Sequence, residues 1–455
     1  MATIKVPKPF TQLIQEIKDL QIRDPKLVID LMGKYKATDA KGRYLHWHEF
    51  KWRVQAGDDE VIAWITTKLS RRLIAKILPL RIFDQKEFIF HYCVPDSLFA
   101  QLYLIEQRIR HISQISDDKF LSTREKNHYL IKSLIQEEAI TSAQLEGAST
   151  TREIAKEMLQ KNLPAKDKSQ KMILNNYLLM QKVIEHKNDE LSIEFILELH
   201  QIATRDVIEN NVVPGELRNH NNIFVSDCYE DNVFYPPDHE TLKYRLMDLC
   251  KFANENHSTQ SNFIHPIIKA IILHFMIAYI HPFSDGNGRT ARAIFYWSVL
   301  RSGYWLFEYV SISKLIQEKR SAYDKAFLYT ETDEFDLTYF IYNQVDTIEK
   351  AINSLHKYLD SKRQDFHEFL DWIEQSPIAK YLKRGELEIL KEAMKKPGTE
   401  FMAKQVAVNL GTTENTARSY LNRLADQDLL LRTKSRSDKT VLYISPANLK
   451  GRLKL

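Results

Sequence analysis

Apolar residues recur at helical spacing along most of this chain, and the longest apolar stretch sits past its middle. Ile264 to Ile280 is apolar almost throughout, interrupted by Lys269 and His274, which predicts a buried helix. Thr290 to Leu300 resumes the helical period, and Gly303 is a suitable stop. Upstream, Leu130, Ile131, Leu134, Ile135 and Ile140 set a long helix over Arg124 to Leu145, with Gly147 as its C-cap; Ser149-Thr150-Thr151 followed by Glu153 suggests a new helix start. Helices are also expected over Asp58 to Leu73, from Pro95-Asp96 to about His111, over two stretches between 170 and 209 that include Ile193 to Val207, and over Glu240 to Asn254, Ser313 to Tyr329 and Asp336 to Asp360. Alternation is rarer. Ile82 to Tyr92 fits a strand or hairpin, and Asn222 to Ser226 with Val233 to Tyr235 predicts a hairpin closed by Pro236-Pro237.

The pattern changes after Pro377 and Gly385. Glu386 to Lys395, Phe401 to Leu410 and Thr412 to Leu424 read as three helices with Gly411 as a turn, followed by strands at Leu429 to Leu431 and Val441 to Ile444. This order resembles a winged helix-turn-helix domain. Residues 376–455 hold 16 Lys and Arg against 8 Asp and Glu, so they are strongly basic within a chain of net charge +4. Arg418, Asn422 and Arg423 are placed to face a DNA major groove, and Arg432, Lys434 and Arg436 to meet phosphates. Such domains also dock proteins or dimerise, and the sequence leaves both open.

With 455 residues, two to four domains are expected. The boundaries fall at 1–115, a mostly helical region with a short β segment; 116–165; 166–375, which holds the longest apolar stretch; and 376–455. An apolar fraction of 44% with 27% charged residues fits a globular protein. Cys93, Cys228 and Cys250 form no CxxC pattern, which argues against a zinc or disulfide framework and suits a reducing compartment. His46 and His48 flank Trp47 without an evident third ligand, so packing around Trp47 and Trp52 is expected rather than a metal. The first residues lack an apolar leader, and no apolar run is long enough to span a bilayer, so a cytoplasmic protein is expected, with leaderless export left open.

Between the two apolar helices lies His281-Pro-Phe-Ser-Asp-Gly-Asn-Gly-Arg-Thr-Ala-Arg292. Gly286 and Gly288 let backbone N–H groups converge where a helix begins, a favourable seat for an anion. Arg289 and Arg292 add charge at a spacing that shares one helix face, and Asn287 adds a neutral donor. Asp285 beside phosphates calls for a cation between them, and Mg²⁺ commonly takes one carboxylate plus phosphate oxygens. His281 can take a proton from an incoming hydroxyl.

This segment resembles the signature of Fic-domain proteins, HxFx(D/E)GNGRxxR, at every specified position. The resemblance implies a mainly α-helical Fic bundle with a small β-hairpin flap. It implies transfer of AMP from ATP, with Mg²⁺, to Tyr, Thr or Ser hydroxyls of target proteins or of the chain itself. In that family His281 would be the general base and Asp285 the metal ligand. Gly286, Asn287, Gly288 and Arg289 would cradle the α- and β-phosphates, Arg292 would hold the γ-phosphate, and Phe283 would anchor the loop in the core. Phosphotransferase relatives have Lys where this chain has Gly288. Pro214, Gly215 and Arg218 resemble the nucleotide-side segment, and Tyr323 stands where relatives place a tyrosine near adenine, although packing explains it equally well. Ile223 and Phe224 in the flap would meet the target. Ser142-xxx-Glu146-Gly147 resembles the inhibitory motif (S/T)xxxE(G/N), in which the Glu pairs with the second signature arginine, here Arg292. Two further readings stay open: removal of AMP at the same site, and a DNA-binding regulator whose nucleotide site only senses ATP. A homodimer is plausible for both parts.

Overall fold

The computed structural model describes residues 4–23, 25–80, 89–117, 124–207, 213–226, 233–375, 381–395, 398–434, 441–446 and 448–452. Its secondary structure is mostly helical, and it divides into two compact units, Met1–Leu355 and His356–Leu455. The division falls inside the helix Thr338–Gln375.

The first unit is built around two antiparallel helices, Pro266–Ile280 and Asn287–Arg301, which pack along each other. Twelve of the fifteen residues of the former and thirteen of the fifteen of the latter are buried, so neither has a solvent face. Pro266 sits at the first helical position, where its missing N–H costs nothing, and the His265 side chain caps the Ile267 amide. Helices Lys168–Glu185 and Ile193–Thr204 pack on Asn287–Arg301, and Arg124–Leu145 packs on Lys168–Glu185.

The helix Arg124–Leu145 spans the residues that its apolar spacing predicts, and it ends in a Schellman motif. The Ala148 amide reaches back to the Ala143 carbonyl at 3.0 Å and the Gly147 amide to Gln144 at 3.1 Å, with Gly147 at φ +92°. That turn fixes Glu146 at the helix end.

The amino-terminal helices Phe10–Arg23 and Glu60–Ile74 share a core of Leu13, Leu45, Phe50 and Trp64, and Pro25–Lys34 packs on both helices. The capping residue of Glu60–Ile74 is Asp59, one position later than Asp58. Buried polar contacts join this region to the helical bundle around the two central helices. Lys68 pairs with Asp333 at 2.7 Å, and Arg71 lies 3.6 Å over the Tyr44 ring and donates to the Tyr339 hydroxyl at 2.7 Å. His46 stacks on Tyr329 at 4.3 Å and Trp47 contacts Trp64, whereas Trp52 is 76% exposed under Lys51 and takes no part in that core. Of the stretch expected to be a strand at 82–92, residues 82–88 lie outside the described residues; His91–Tyr92 pairs with Lys76–Ile77.

Other boundaries differ in instructive ways. Ser313 to Tyr329 forms two helices, Ile312–Glu318 and Arg320–Thr332, because the chain turns at Lys319 with φ −130°. Asp336 is not helical: its carboxylate accepts from the Thr338 amide at 3.0 Å and from the Tyr44 hydroxyl at 2.5 Å, and the helix starts at Thr338.

In the second unit the helices are Arg384–Lys395, Ala403–Leu410 and Glu414–Asp426. Glu400–Phe401 is a strand rather than the start of a helix, since Phe401 pairs opposite Tyr443 on the edge of a sheet ordered Glu400–Phe401, Val441–Ile444, Leu431–Lys434. Leu390, Phe401, Val406, Leu421, Leu424 and Tyr443 fill the core between these elements.

Candidate active site

The signature segment forms the link between the two central helices. His281 caps the first of them in the left-handed region, φ +49°, a conformation that non-glycine residues avoid unless their surroundings impose it. What imposes it is visible: the His281 amide bonds Ile277, and its carbonyl accepts from Arg218 Nε at 2.8 Å. The ring Nδ1 faces the Ala278 carbonyl at 3.3 Å, which leaves Nε2 as the basic nitrogen. Burial, helped by the Arg218 charge, pushes its pKa down to about 4, so the imidazole is neutral.

Phe283 is fully buried and stacks on the His200 ring at 3.7 Å. His200 accepts at Nδ1 from the Gly215 amide (3.0 Å) and donates from Nε2 to the Asp285 carbonyl (2.9 Å). It thereby ties the segment around Pro214 and Gly215 to the signature loop. Sequence reading missed His200; the signal was a polar side chain on the buried stripe of Ile193–Thr204. Burial lowers its pKa to about 4, and lowers those of the fully buried His46 and His274 to about 3. Such groups bind protons only in the unfolded chain once pH falls below about 6.5. Stability from this source is therefore complete above that pH and is lost as pH drops towards the folded values. Between pH 7 and pH 5 each contributes a loss of roughly 2 kcal/mol, and the melting temperature is expected to fall by roughly 5–10 °C. Thermal melts at the two pH values check this; an unchanged or higher value at pH 5 contradicts it.

Gly286, φ +82°, opens the helix Asn287–Arg301 without a side-chain cap, so the first-turn amides keep no intrahelical acceptor. A Cβ at Gly286 would stand 2.7 Å from Thr204 Cγ2. Asn287 faces inward: it accepts from the Phe283 amide at 3.0 Å and donates to the Phe283 carbonyl at 2.7 Å. Its side chain clamps the loop, leaving only its backbone for an anion. Arg289 is likewise buried, donating to the Ala203 carbonyl at 2.5 Å with Asp285 at 3.4 Å. Asp285 accepts from the Gly286 amide at 2.6 Å, and its side chain is 53% exposed. A single half-exposed carboxylate on the rim of an amide-lined cup fits Mg²⁺, which keeps several waters and takes its other ligands from phosphates. Among the described residues no cluster of three or more His, Cys, Asp or Glu could hold a metal.

Glu146 occupies the cup. Its carboxylate accepts from Arg292 Nη2 at 2.9 Å, while Arg292 also donates from Nε to Ser142 Oγ (2.9 Å) and from Nη2 to the Ser142 carbonyl (3.2 Å). A Cβ at Gly288 would lie 2.3 Å from Glu146 Oε1, so glycine there leaves the space that the carboxylate fills. Burial opposes ionisation of Glu146, but the charges of Arg292 and Arg289 outweigh it and hold the carboxyl below its ordinary value. Buried Glu138, from the same helix, accepts from the Ser313 amide at 3.1 Å and Ser311 Oγ at 2.7 Å, fastening that helix beside the site.

Arg218 has its guanidinium engaged by carbonyls and an amide oxygen. Besides His281 it donates to the carbonyls of His220 (2.9 Å) and Pro237 and to Asn221 Oδ1 (3.1 Å), and its own amide bonds Pro282. It thus joins both ends of the flap to the histidine's backbone. Arg218→Ala strands these buried carbonyls and is expected to cost about 2–4 kcal/mol and to misplace His281. Thermal unfolding checks the loss of stability; a variant as stable as the parent contradicts the clamp. The flap itself pairs Val225 with Phe234 and Ser226 with Val233, and residues 227–232 lie outside the described residues. Phe224 is 63% exposed and Ile223 half-buried. Tyr323 packs on Phe327 and Phe340, and its hydroxyl lies 3.0 Å from His274 Nε2, so its polar end is already engaged.

In the second unit Arg418 pairs with Glu414 at 2.6 Å on an exposed face, Asn422 Oδ1 accepts from the Tyr443 hydroxyl at 2.6 Å, and Arg423 answers the buried Glu386 at 3.0 Å. Arg432 is exposed; the Lys434 side chain and Arg436 lie outside the described residues. Among the described residues no helix is long and apolar enough to cross a membrane.

Residues 190–299 match the model of the Fic/DOC family. The chain is 32% identical over 124 residues to a protein adenylyltransferase fic-1 of Caenorhabditis elegans and 33% identical over 131 residues to a protein adenylyltransferase Fic of Drosophila ananassae. These matches cover 27% and 28% of this chain, and the chain spans about a fifth of those relatives, 22% of each. Among solved structures, a Fic family protein of Desulfovibrio desulfuricans superposes with a TM-score of 0.49 at 17% identity, over 76% of this chain and 96% of that one. Residues 134–508 of C. elegans Fic-1 give 0.46 at 18% identity, over 78% and 90%. The signature loop, its seat between two buried helices and the family match together identify residues 190–299 as a Fic domain.

Proposed function

We propose that the chain is a protein adenylyltransferase held in check by its own Glu146. The reading rests above all on one observation: Glu146 stands 2.9 Å from Arg292 inside an amide-lined, glycine-floored cup beside His281. A free, uncapped helix start attracts phosphate oxygens, and the arginine that Glu146 occupies is the one best placed for the terminal phosphate. With Glu146 withdrawn, the cup takes the triphosphate of ATP. A Tyr, Thr or Ser hydroxyl of a target, or of the chain itself, then attacks the α-phosphorus. Its proton passes to His281 Nε2 as the oxygen–phosphorus bond forms, the bond to the bridging oxygen breaks, and pyrophosphate leaves. Mg²⁺ held by Asp285 would supply charge neutralisation of the phosphates. The exposed Phe224 and half-buried Ile223 beside the short flap strand offer an edge along which a target segment can add as a strand.

Incubation with ATP labelled at the α- or at the γ-phosphate tests this. Protein-bound label from the α-labelled nucleotide alone supports adenylyl transfer. Label from the γ-position selects phosphotransfer, and none from either, even in Glu146→Gly, leaves a nucleotide-sensing protein.

A second reading is favoured by the ionised state of Glu146: a carboxylate next to the cup can take a proton from water attacking an adenylylated side chain. Release of AMP from a modified protein should then be slower in Glu146→Gly than in the parent.

A further inference from the structure

A small cavity lies between three helices of the first unit, Arg124–Leu145, Lys168–Glu185 and Asn287–Arg301. Glu138, Ser142, Asn176, Arg289 and Arg292 are its polar walls. It leaves about 10 Å³ for the centre of a water molecule. A water needs about 10–15 Å³ counted in this way, and two to four polar partners, so the space suits one.

Two of the walls carry a polar atom that the fold leaves over. Asn176 is 1% exposed, and its Nδ2 donates to the Ala139 carbonyl at 3.3 Å, which fixes the orientation of the amide. Its Oδ1 meets no donor among the described residues. Arg289 donates from Nη1 to the Ala203 carbonyl at 2.5 Å, and its Nη2 lies 3.4 Å from Asp285. Its Nε, equally buried, meets no acceptor among the described residues. Buried donors and acceptors are rarely left so, because each has forfeited its bonds to solvent.

We propose that one water molecule occupies this cavity, accepting from Arg289 Nε and donating to Asn176 Oδ1, and that Asn176 thereby positions Arg289 at the nucleotide cup. The leftover atoms select water. One is a donor and the other an acceptor, so the occupant must do both. A metal cation would meet two guanidinium groups, and an anion would meet the Asn176 oxygen and the Glu138 carboxylate. Cavities stay dry or take apolar guests when their walls are apolar, and five residues of this wall are polar.

The bridge has a use at the cup. The Arg289 charge reaches Glu146 and helps to keep that carboxyl ionised, so it also reaches phosphates seated in the same place. Ala203 and Asp285 hold the outer nitrogens of Arg289, and the water holds Nε, which fixes the plane of the guanidinium. Through Nδ2 the same amide grips the Ala139 carbonyl, in the helix that ends beside Glu146. The water rests on the cavity and the two leftover atoms alone. Its effect on ATP rests on the reading of the cup as a triphosphate site.

The test uses the full chain. High-resolution crystals of the parent should show density for one water within about 3.2 Å of both Arg289 Nε and Asn176 Oδ1. Asn176→Leu has no side-chain oxygen, so it should lose that water. In the Glu146→Gly background it should bind ATP about tenfold more weakly by calorimetry. Asn176→Asp gives up the bond to Ala139 but keeps the oxygen, so it should keep the water and bind ATP within about threefold of the Glu146→Gly protein. If Asn176 only fastened two helices together, both variants would weaken ATP binding alike, and that result overturns the proposal. A dry cavity in the parent, or a water that misses either atom, overturns it as well. Should the Glu146→Gly protein bind no ATP, the triphosphate reading fails, and the density still decides the water.

Discussion

Glu146→Gly is expected to raise adenylyl transfer from ATP by roughly ten- to a hundredfold over the parent. The size follows from what must be displaced. Glu146 and Arg292 share a charge-assisted hydrogen bond at 2.9 Å in a largely desolvated setting, and bonds of that kind are worth about 1.5–3 kcal/mol. While the pair is intact, a terminal phosphate must break it before using the arginine, and that free energy converts to one to two decades in rate. Two graded controls keep the assignment falsifiable. Glu146→Gln retains the shape but loses the charge, so its activity should fall between parent and glycine variant. Ser142→Ala removes the hydroxyl that accepts from Arg292 Nε and should activate weakly, because the carboxylate stays. The folded state should tolerate Glu146→Gly, since Ser142 still satisfies two of the guanidinium's donors through its hydroxyl and carbonyl. A glycine variant no more active than the parent, with its melting temperature intact, would remove Glu146 from the role of lid.

The parts of this site that were legible in the sequence are those whose geometry is local. Apolar spacing alone placed Arg124–Leu145 and the two central helices to within a few residues; the central pair is buried all round, so no polar face blurs its ends. Glu146 was legible for a related reason: Gly147 announces a helix end, and an acid at a helix end is poorly placed unless it is paired. What stayed hidden was the direction of long polar side chains. Arg218, Asn287 and Arg423 each look like donors for a phosphate or a base. Each is instead spent on a partner that the fold brings up from elsewhere: Arg218 on the carbonyls of His220, Pro237 and His281, Asn287 on the backbone of Phe283, and Arg423 on the carboxylate of Glu386. A buried carbonyl or carboxylate left without a donor is costly, and sequence spacing carries no record of where those acceptors lie. His200 escaped notice for the converse reason, since one histidine on an apolar stripe gives no sign that both its nitrogens will be used to join two loops.

The deepest loss is expected from His281→Ala, measured in the Glu146→Gly background so that the lid does not mask it. A positioned general base contributes about 10²–10⁴ in rate, and alanine supplies none, so transfer should fall by roughly a thousandfold. The backbone argument makes this a test of chemistry rather than of folding. The left-handed turn at His281 is held by its own amide and carbonyl, which alanine keeps, and the Arg218 clamp reaches the carbonyl rather than the ring. The melting temperature should therefore move little, and ATP should still bind, because the ring is no part of the amide-lined cup. The pH profile carries the same claim further. With its pKa pushed down to about 4, the imidazole is already unprotonated throughout the neutral range, so kcat/KM should show no loss of base between pH 8 and pH 6 and should begin to fall only on the acid side of that range. An acid limb centred near the ordinary histidine value of about 6.5 would mean that the reacting enzyme solvates this ring. Label transfer undiminished in His281→Ala would mean that the proton leaves by another route, and the assignment of His281 would then be withdrawn.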